Sequence, residues 1–120
     1  MSQLSKAVSI HPYFQIQAGK LDAFAEVIAT FIRTTSTEAG CLYYDFTLNG
    51  DEAFCREAYL DGDAALVHLE NVNHVIQQAL EISTMTRLEI HGPEAELEKM
   101  RGPLAALSPA WFVHQGGVDR

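Results

Sequence analysis

The chain has 120 residues, with sixteen Asp and Glu against eight Lys and Arg, for a formal net charge of −8. That length makes one domain, and 48% hydrophobic residues suffice for a modest core. So acidic a balance opposes binding to nucleic-acid backbones and to anionic membrane surfaces. No apolar run approaches the length of a membrane span. The start Met1-Ser2-Gln3-Leu4-Ser5-Lys6 lacks the apolar stretch of a signal peptide. A cytoplasmic location is the expectation.

Ala7 to Gln17 reads as a strand, with Val8, Ile10, Pro12, Phe14 and Ile16 on one side and Ser9, His11, Tyr13 and Gln15 on the other. Pro12 removes a ladder donor, which predicts an edge position or a bulge. Lys20 to Glu38 reads as a helix with an apolar stripe of Leu21, Phe24, Ile28, Phe31 and Ile32, ended by Gly40. Two strands follow, Cys41 to Leu48 and Ala53 to Leu60, around the turn residues Asn49-Gly50-Asp51. Asp63 is a natural N-cap for a helix from Ala64 to Glu70, and Asn71 for a second from Val72 to Ile82. Thr84 to His91 reads as a fourth strand. Gly92-Pro93 opens a short acidic helix, Glu94 to Arg101, with proline at its first position. Ala110 to His114, carrying Trp111 and Val113, reads as a short fifth strand.

Two hairpin registers are open: Leu48 opposite Ala53, or Leu48 opposite Asp51. The first is preferred because it pairs Asp45 with Arg56, and it sets Tyr44 opposite Glu57 and Leu42 opposite Tyr59. Either register puts Leu42, Tyr44, Phe46, Cys55, Glu57 and Tyr59 on one face. The other face carries Cys41, Tyr43, Asp45, Phe54, Arg56 and Ala58. The two cysteines, Cys41 and Cys55, then point to opposite faces and should not form a disulfide.

The order β-α-β-β-α-β, plus a C-terminal helix and strand, is an α+β, ferredoxin-like arrangement with helices on one sheet face. The open face carries Tyr43, Phe54 and Leu60, and such an apolar face predicts a partner. No Cys-x-x-Cys, paired-His helix or glycine-rich phosphate loop is present, so the sequence calls for no metal and no cofactor. The five histidines are scattered without a ligand spacing.

Glu38-Ala39-Gly40-Cys41-Leu42-Tyr43-Tyr44, then Arg56-Glu57-Ala58-Tyr59-Leu60-Asp61, then Ala64, Ala65 and His68, resemble the antibiotic biosynthesis monooxygenase (ABM) domain of the dimeric α/β-barrel superfamily. The similarity covers roughly Ser9 to Ile90. It implies a single ABM-like domain with its core at about 7–91 and an extension over 92–120. It also implies a homodimer through the open sheet face and a small-molecule pocket between sheet and helices. The implied function is a cofactor-independent monooxygenase, an oxidoreductase acting on a small aromatic or quinol-like substrate. An isomerase or lyase of a small oxygenated metabolite, or a non-catalytic ligand-binding dimer, is the alternative. The haem-degrading branch carries a first-strand asparagine and a tryptophan near the position of His68, and neither residue is found here.

The pocket is assigned His68 and Glu57 as catalytic groups and Tyr44, Tyr59 and His74 as substrate-binding ones. The hairpin parity puts Tyr44, Glu57 and Tyr59 on one face, and the short Asp61-Gly62-Asp63 turn folds the next helix back over it. His68 matches the family's histidine, and an imidazole suits proton transfer near neutral pH. The competing reading is a histidine that only bonds helix to sheet. Glu57 on the helix-facing side of a central strand is costly to bury unpaired, so it needs a partner among Tyr44, Tyr59, His68 or a backbone N–H. His74 is six residues past His68, off one helical face unless the helix breaks at Asn71.

Overall fold

A computed structural model describes residues 4–119. The elements run β1 (Val8–Ile16), α1 (Leu21–Thr35), β2 (Cys41–Asn49), β3 (Glu52–Tyr59), α2 (Gly62–Asn71), α3 (Asn73–Ile82), β4 (Ser83–Gly92), α4 (Glu94–Arg101), a 3-10 turn (Ala105–Leu107) and β5 (Ala110–Val113). They build one sheet in the order β2-β3-β1-β4-β5, with β5 parallel to β4 and every other pair antiparallel. This is the α+β, ferredoxin-like arrangement with an added helix and strand.

The hairpin adopts the Leu48–Ala53 register, with Tyr44 opposite Glu57 and Asp45 opposite Arg56. Gly50, at φ +61°, makes the left-handed step of its turn. One pairing differs from expectation. Tyr59 faces Cys41 rather than Leu42, because Leu42 is bulged out of the ladder. A single extra residue reverses the parity beyond it, so Cys41 packs on the helix side against Tyr59 and its neighbours. Cys41 and Cys55 are both free thiols. They lie four positions apart along β3, since Cys41 pairs with Tyr59 and Cys55 with Phe46.

Pro12 is not on an edge. β1 sits between β3 and β4, and the β1–β3 ladder skips His11 and Pro12 to accommodate the missing donor. The bulge falls next to it, where Thr86 of β4 is extra between the Tyr13–Arg87 and Phe14–Met85 pairs.

Helix ends also moved. α1 stops at Thr35, and Glu38 lies in a turn beyond it, held by its N–H on the Thr35 carbonyl. Within α1, Phe24 and Phe31 are buried while Leu21 and Ile32 lie near half-exposed. Asp61, not Asp63, caps α2: its Oδ1 accepts the Ala64 N–H at 2.8 Å. Asn71 does not cap α3; Val72 takes that place, and the Asn71 side chain turns to Glu38 and the Thr34 carbonyl. Pro93 precedes α4 as its N-cap residue rather than opening its first turn.

The helix-facing side of the sheet buries two clusters. One gathers Phe14, Ile16, Phe24, Phe31, Val72 and Val75 beneath α1 and α3. The other gathers Val8, Ile10, Tyr59, Leu97, Met100 and Leu104 beneath α2 and α4. The residues after Gly92 therefore dock on their own chain. Trp111 of β5 pairs with Ile90, packs on the second cluster and lies under the Arg101 guanidinium.

The opposite face has no helix. A row of rings crosses it: Tyr13 on Phe54 at 4.7 Å, His11 on His91 at 4.5 Å, and His91 on Phe112 at 4.5 Å between centroids. Burial first, and the neighbouring His91 second, hold the His11 pKa below its usual value.

Candidate active site

The second half of the fold sets His68 in place. α2 starts close to α4: the Gly62 N–H donates to Glu96 Oε1 at 3.0 Å. A Cβ at Gly62 would come within 2.5 Å of the Glu96 carbonyl oxygen, so only glycine allows this approach. Two turns on, His68 faces the sheet and is 1% exposed.

Both of its ring nitrogens meet carboxylates. Nδ1 lies 3.0 Å from each oxygen of Glu38, and Nε2 lies 3.1 Å from Glu57 Oε1. A ring that donates from both nitrogens is an imidazolium. Burial works against that charge, but the hydrogen bonds and charges of Glu57 and Glu38 outweigh it and raise the His68 pKa.

The carboxylates are held in turn. The Tyr59 hydroxyl donates to Glu57 Oε1 at 2.5 Å. Asn71 Nδ2 donates to Glu38 Oε2 at 2.8 Å and to the Thr34 carbonyl at 3.2 Å. The rings of Tyr59 and Tyr44 pack on the imidazole at 4.7 and 5.2 Å. Burial, then the Glu57 charge, pushes both tyrosine pKa values well above the phenolic range, so both hydroxyls keep their protons. The Cys55 thiol is pushed up for the same two reasons. Cys41 rises to about 11, by burial first and then by Glu38 and Glu57. None of these thiols or phenols is a nucleophile at neutral pH.

The cluster forms the polar end of a cavity of about 290 Å³. Glu57, His68 and Tyr44 reach its wall; Tyr59 and Glu38 stand behind it. Phe14, Phe31, Phe46, Ile76 and Met85, which pack in the first cluster, line the cavity together with Ile10, Leu88 and Leu104 of the second. The cavity thus lies on the seam between the two buried clusters. Glu38 also borders a shallow dimple with Thr35, Ser36 and Cys41, separated from the cavity by Tyr44. A hollow of about 260 Å³ near the two ends of the described chain, against Ala7, Pro93 and His114, contains none of this cluster.

Of the sequence-predicted residues, Tyr44, Glu57, Tyr59 and His68 come together. His74 does not: it is exposed on α3 and absent from the cavity wall, because α3 turns Asn73 and Gln77 toward the mouth instead. Glu38 was missed as a site residue. Its place between a helix end and Gly40 gave no periodic signal. Among the described residues, no group of three His, Cys, Asp or Glu side chains is arranged to hold a metal ion. No helix among them is long and apolar enough to cross a membrane.

The family model described as antibiotic biosynthesis monooxygenase matches residues 7–75, more than half of the chain. This chain belongs to the ABM family. Among solved structures, MupZ from Pseudomonas fluorescens is similar with a TM-score of 0.92 and 41% identity, covering 96% of this chain and 95% of MupZ. A conserved protein of Methanosarcina mazei Go1 gives 0.68 and 19%, covering 73% of this chain and 93% of its own. Rv0793 of Mycobacterium tuberculosis gives 0.65 and 22%, covering 73% and 95%. These last two share the ABM fold but leave roughly a quarter of this chain unmatched, a share the size of the segment after Gly92. No curated protein matches.

Proposed function

We propose that this ABM protein is an enzyme whose chemistry begins with proton transfer at the Glu57–His68–Glu38 cluster. Its substrate is a small molecule with an oxygen function at the buried end of the cavity. The observation that carries the reading is His68, 1% exposed, with a carboxylate on each ring nitrogen at the polar end of an otherwise apolar cavity. A structural ion pair needs one partner. Here two carboxylates flank one imidazole, a tyrosine hydroxyl holds one of them, and Glu57 and His68 both reach the cavity wall.

Family membership makes cofactor-independent monooxygenation of an aromatic or quinol-like substrate the first reaction class. Glu57 accepts the phenolic proton, and the imidazolium beside it stabilises the resulting anion. The anion then reduces dioxygen. One oxygen atom enters the ring as a carbonyl and the other leaves as water, with the substrate supplying all the electrons. No metal or flavin is needed in this scheme. His68 acts as the charged partner of the base rather than as the base itself, since a carboxylate faces each of its ring nitrogens and together they raise its pKa.

One observation favours a second class. The His68 imidazole and the Glu57 carboxylate stand 3.1 Å apart at the cavity wall, an acid–base pair that suits an isomerase or lyase working on a small oxygenated metabolite. Oxygen uptake with a panel of quinols, on metal-free and flavin-free protein, separates the classes. The oxygenase consumes oxygen in step with quinone formation. Turnover of oxygenated substrates that persists without oxygen selects the isomerase or lyase. A protein that binds ligands but turns over none is a binding dimer. The homodimer is part of the proposal, supported by family membership and by the ring-bearing sheet face that lacks a helix.

A further inference from the structure

The cavity does not end at the cluster. Its wall continues from Glu57 of β3 across Ile10 and Pro12 of β1 to Leu88 of β4. Two strand spacings separate β3 from β4, about 10 Å. Beyond β4 the wall is supplied by Pro103, Leu104 and Leu107, from the segment after Gly92. Leu104 is nearly buried while Leu107 is 54% exposed at the cavity rim. Across the mouth stand the amides of Asn73 and Gln77 and the half-exposed Leu80. The cavity is therefore polar at its inner end, aliphatic along its length and polar again at its opening.

We infer that the substrate is an elongated apolar molecule whose reacting oxygen function sits at Glu57 and His68 and whose aliphatic portion lies under residues 103–107, with Leu104 and Leu107 selecting its length. The assignment of the oxygen end rests on the proton-transfer reading above. The aliphatic end rests on the wall alone. A compact head group by itself would leave the leucine-lined half of the cavity without contact. Leu107 is held at the rim by a local turn: Ser108 behind it adopts φ +47°, and the Leu107 N–H donates to the Leu104 carbonyl at 3.0 Å. The same turn ties the selecting side chain to Leu104 in the core.

The test is a binding series by titration calorimetry with 4-methylphenol, 4-butylphenol and 4-hexylphenol on the full chain. Affinity should rise about fourfold for each buried methylene, so hexyl, five methylenes longer, should exceed methyl by roughly a thousandfold when all five are buried. Leu107→Ala should shrink that ratio, and Leu107→Trp, which fills the rim, should collapse it or invert it. Melting curves of both variants confirm that they are folded. A wild type that binds none of the series, or binds all members alike, overturns the inference, as does a ratio unmoved by either variant. Glu57→Gln, measured with 4-methylphenol, reads the head separately. If it changes nothing while the length dependence stands, the proton-transfer reading falls and the aliphatic site survives.

Discussion

The two buried clusters of this fold are built differently. The one under α1 and α3 is drawn entirely from β1 through α3, and its large members are aromatic and aliphatic residues spaced by regular helix and strand periods. The one under α2 and α4 needs the segment after Gly92, which contributes Leu97, Met100 and Leu104. Residues before Gly92 supply the whole buried part of the first cluster but not of the second. The candidate site sits at the seam, and His68 rides on the helix whose start the added segment grips through Glu96. Burial lowers the charged form of Glu96 less than its Gly62 N–H and Lys99 partners favour it, so its pKa falls below the usual carboxylate range, led by the Gly62 hydrogen bond. The segment after Gly92 is part of the scaffold around His68.

Removing the chain after Gly92 should have the largest effect. It deletes three buried side chains, each contributing about 2–3 kcal/mol, from a domain whose total stability is of the order of 10 kcal/mol. We expect a melting temperature lower by more than about 10 °C, or no cooperative melt at all. A truncated protein with an unchanged melting curve would mean that the second cluster is closed by other contacts.

His68→Ala is the next largest. It leaves two buried carboxylates facing each other without their shared cation, a loss of about 3–5 kcal/mol. Denaturant melts measure it. A loss below about 1 kcal/mol would show that the cluster is solvated and not held as described. Phe54→Asp probes the other side of the sheet, against which Tyr13 and His11 stack. An unpaired charge there should convert a dimer into a monomer by light scattering, and a well-folded dimer would remove this face from the interface. The Asp45–Arg56 pair on the same face, at 3.8 Å and well exposed, should add little. The smallest effect belongs to His74→Ala. An exposed side chain off the cavity wall should change stability by no more than about 0.5 kcal/mol and leave 4-alkylphenol affinities alone.

The sequence showed the first cluster more clearly than the second. Period-two alternation in β2 and β3 and the Asp45–Arg56 pair made the hairpin register legible, and with it the shared face of Tyr44, Glu57 and Tyr59. The bulge at Leu42 was not legible, because one inserted residue leaves the local pattern of apolar side chains intact while reversing Cys41. Glu38 was hidden for another reason. It reaches His68 across 30 positions of sequence from an irregular turn, and no periodicity connects the two. His74 was misplaced because the break between α2 and α3 falls at Val72, which rotates α3 to present Asn73 and Gln77. Leu104 and Leu107 come to the cavity by long-range packing that no local pattern signals.

The central claim is that His68 is an imidazolium held between two carboxylates, and nitrogen NMR of its ring through a pH titration tests it most directly. The account predicts that both ring nitrogens stay protonated at neutral pH and that the ring titrates above its ordinary value of 6.5. A pKa raised by folding contributes stability that is complete below the unfolded-state pKa and is lost as pH rises through the folded one. The same titration should therefore show the melting temperature falling on the alkaline side, and Glu38→Gln and Glu57→Gln should each move the ring's pKa down. A neutral ring at pH 6.5, in one tautomer and unmoved by either substitution, would contradict the account.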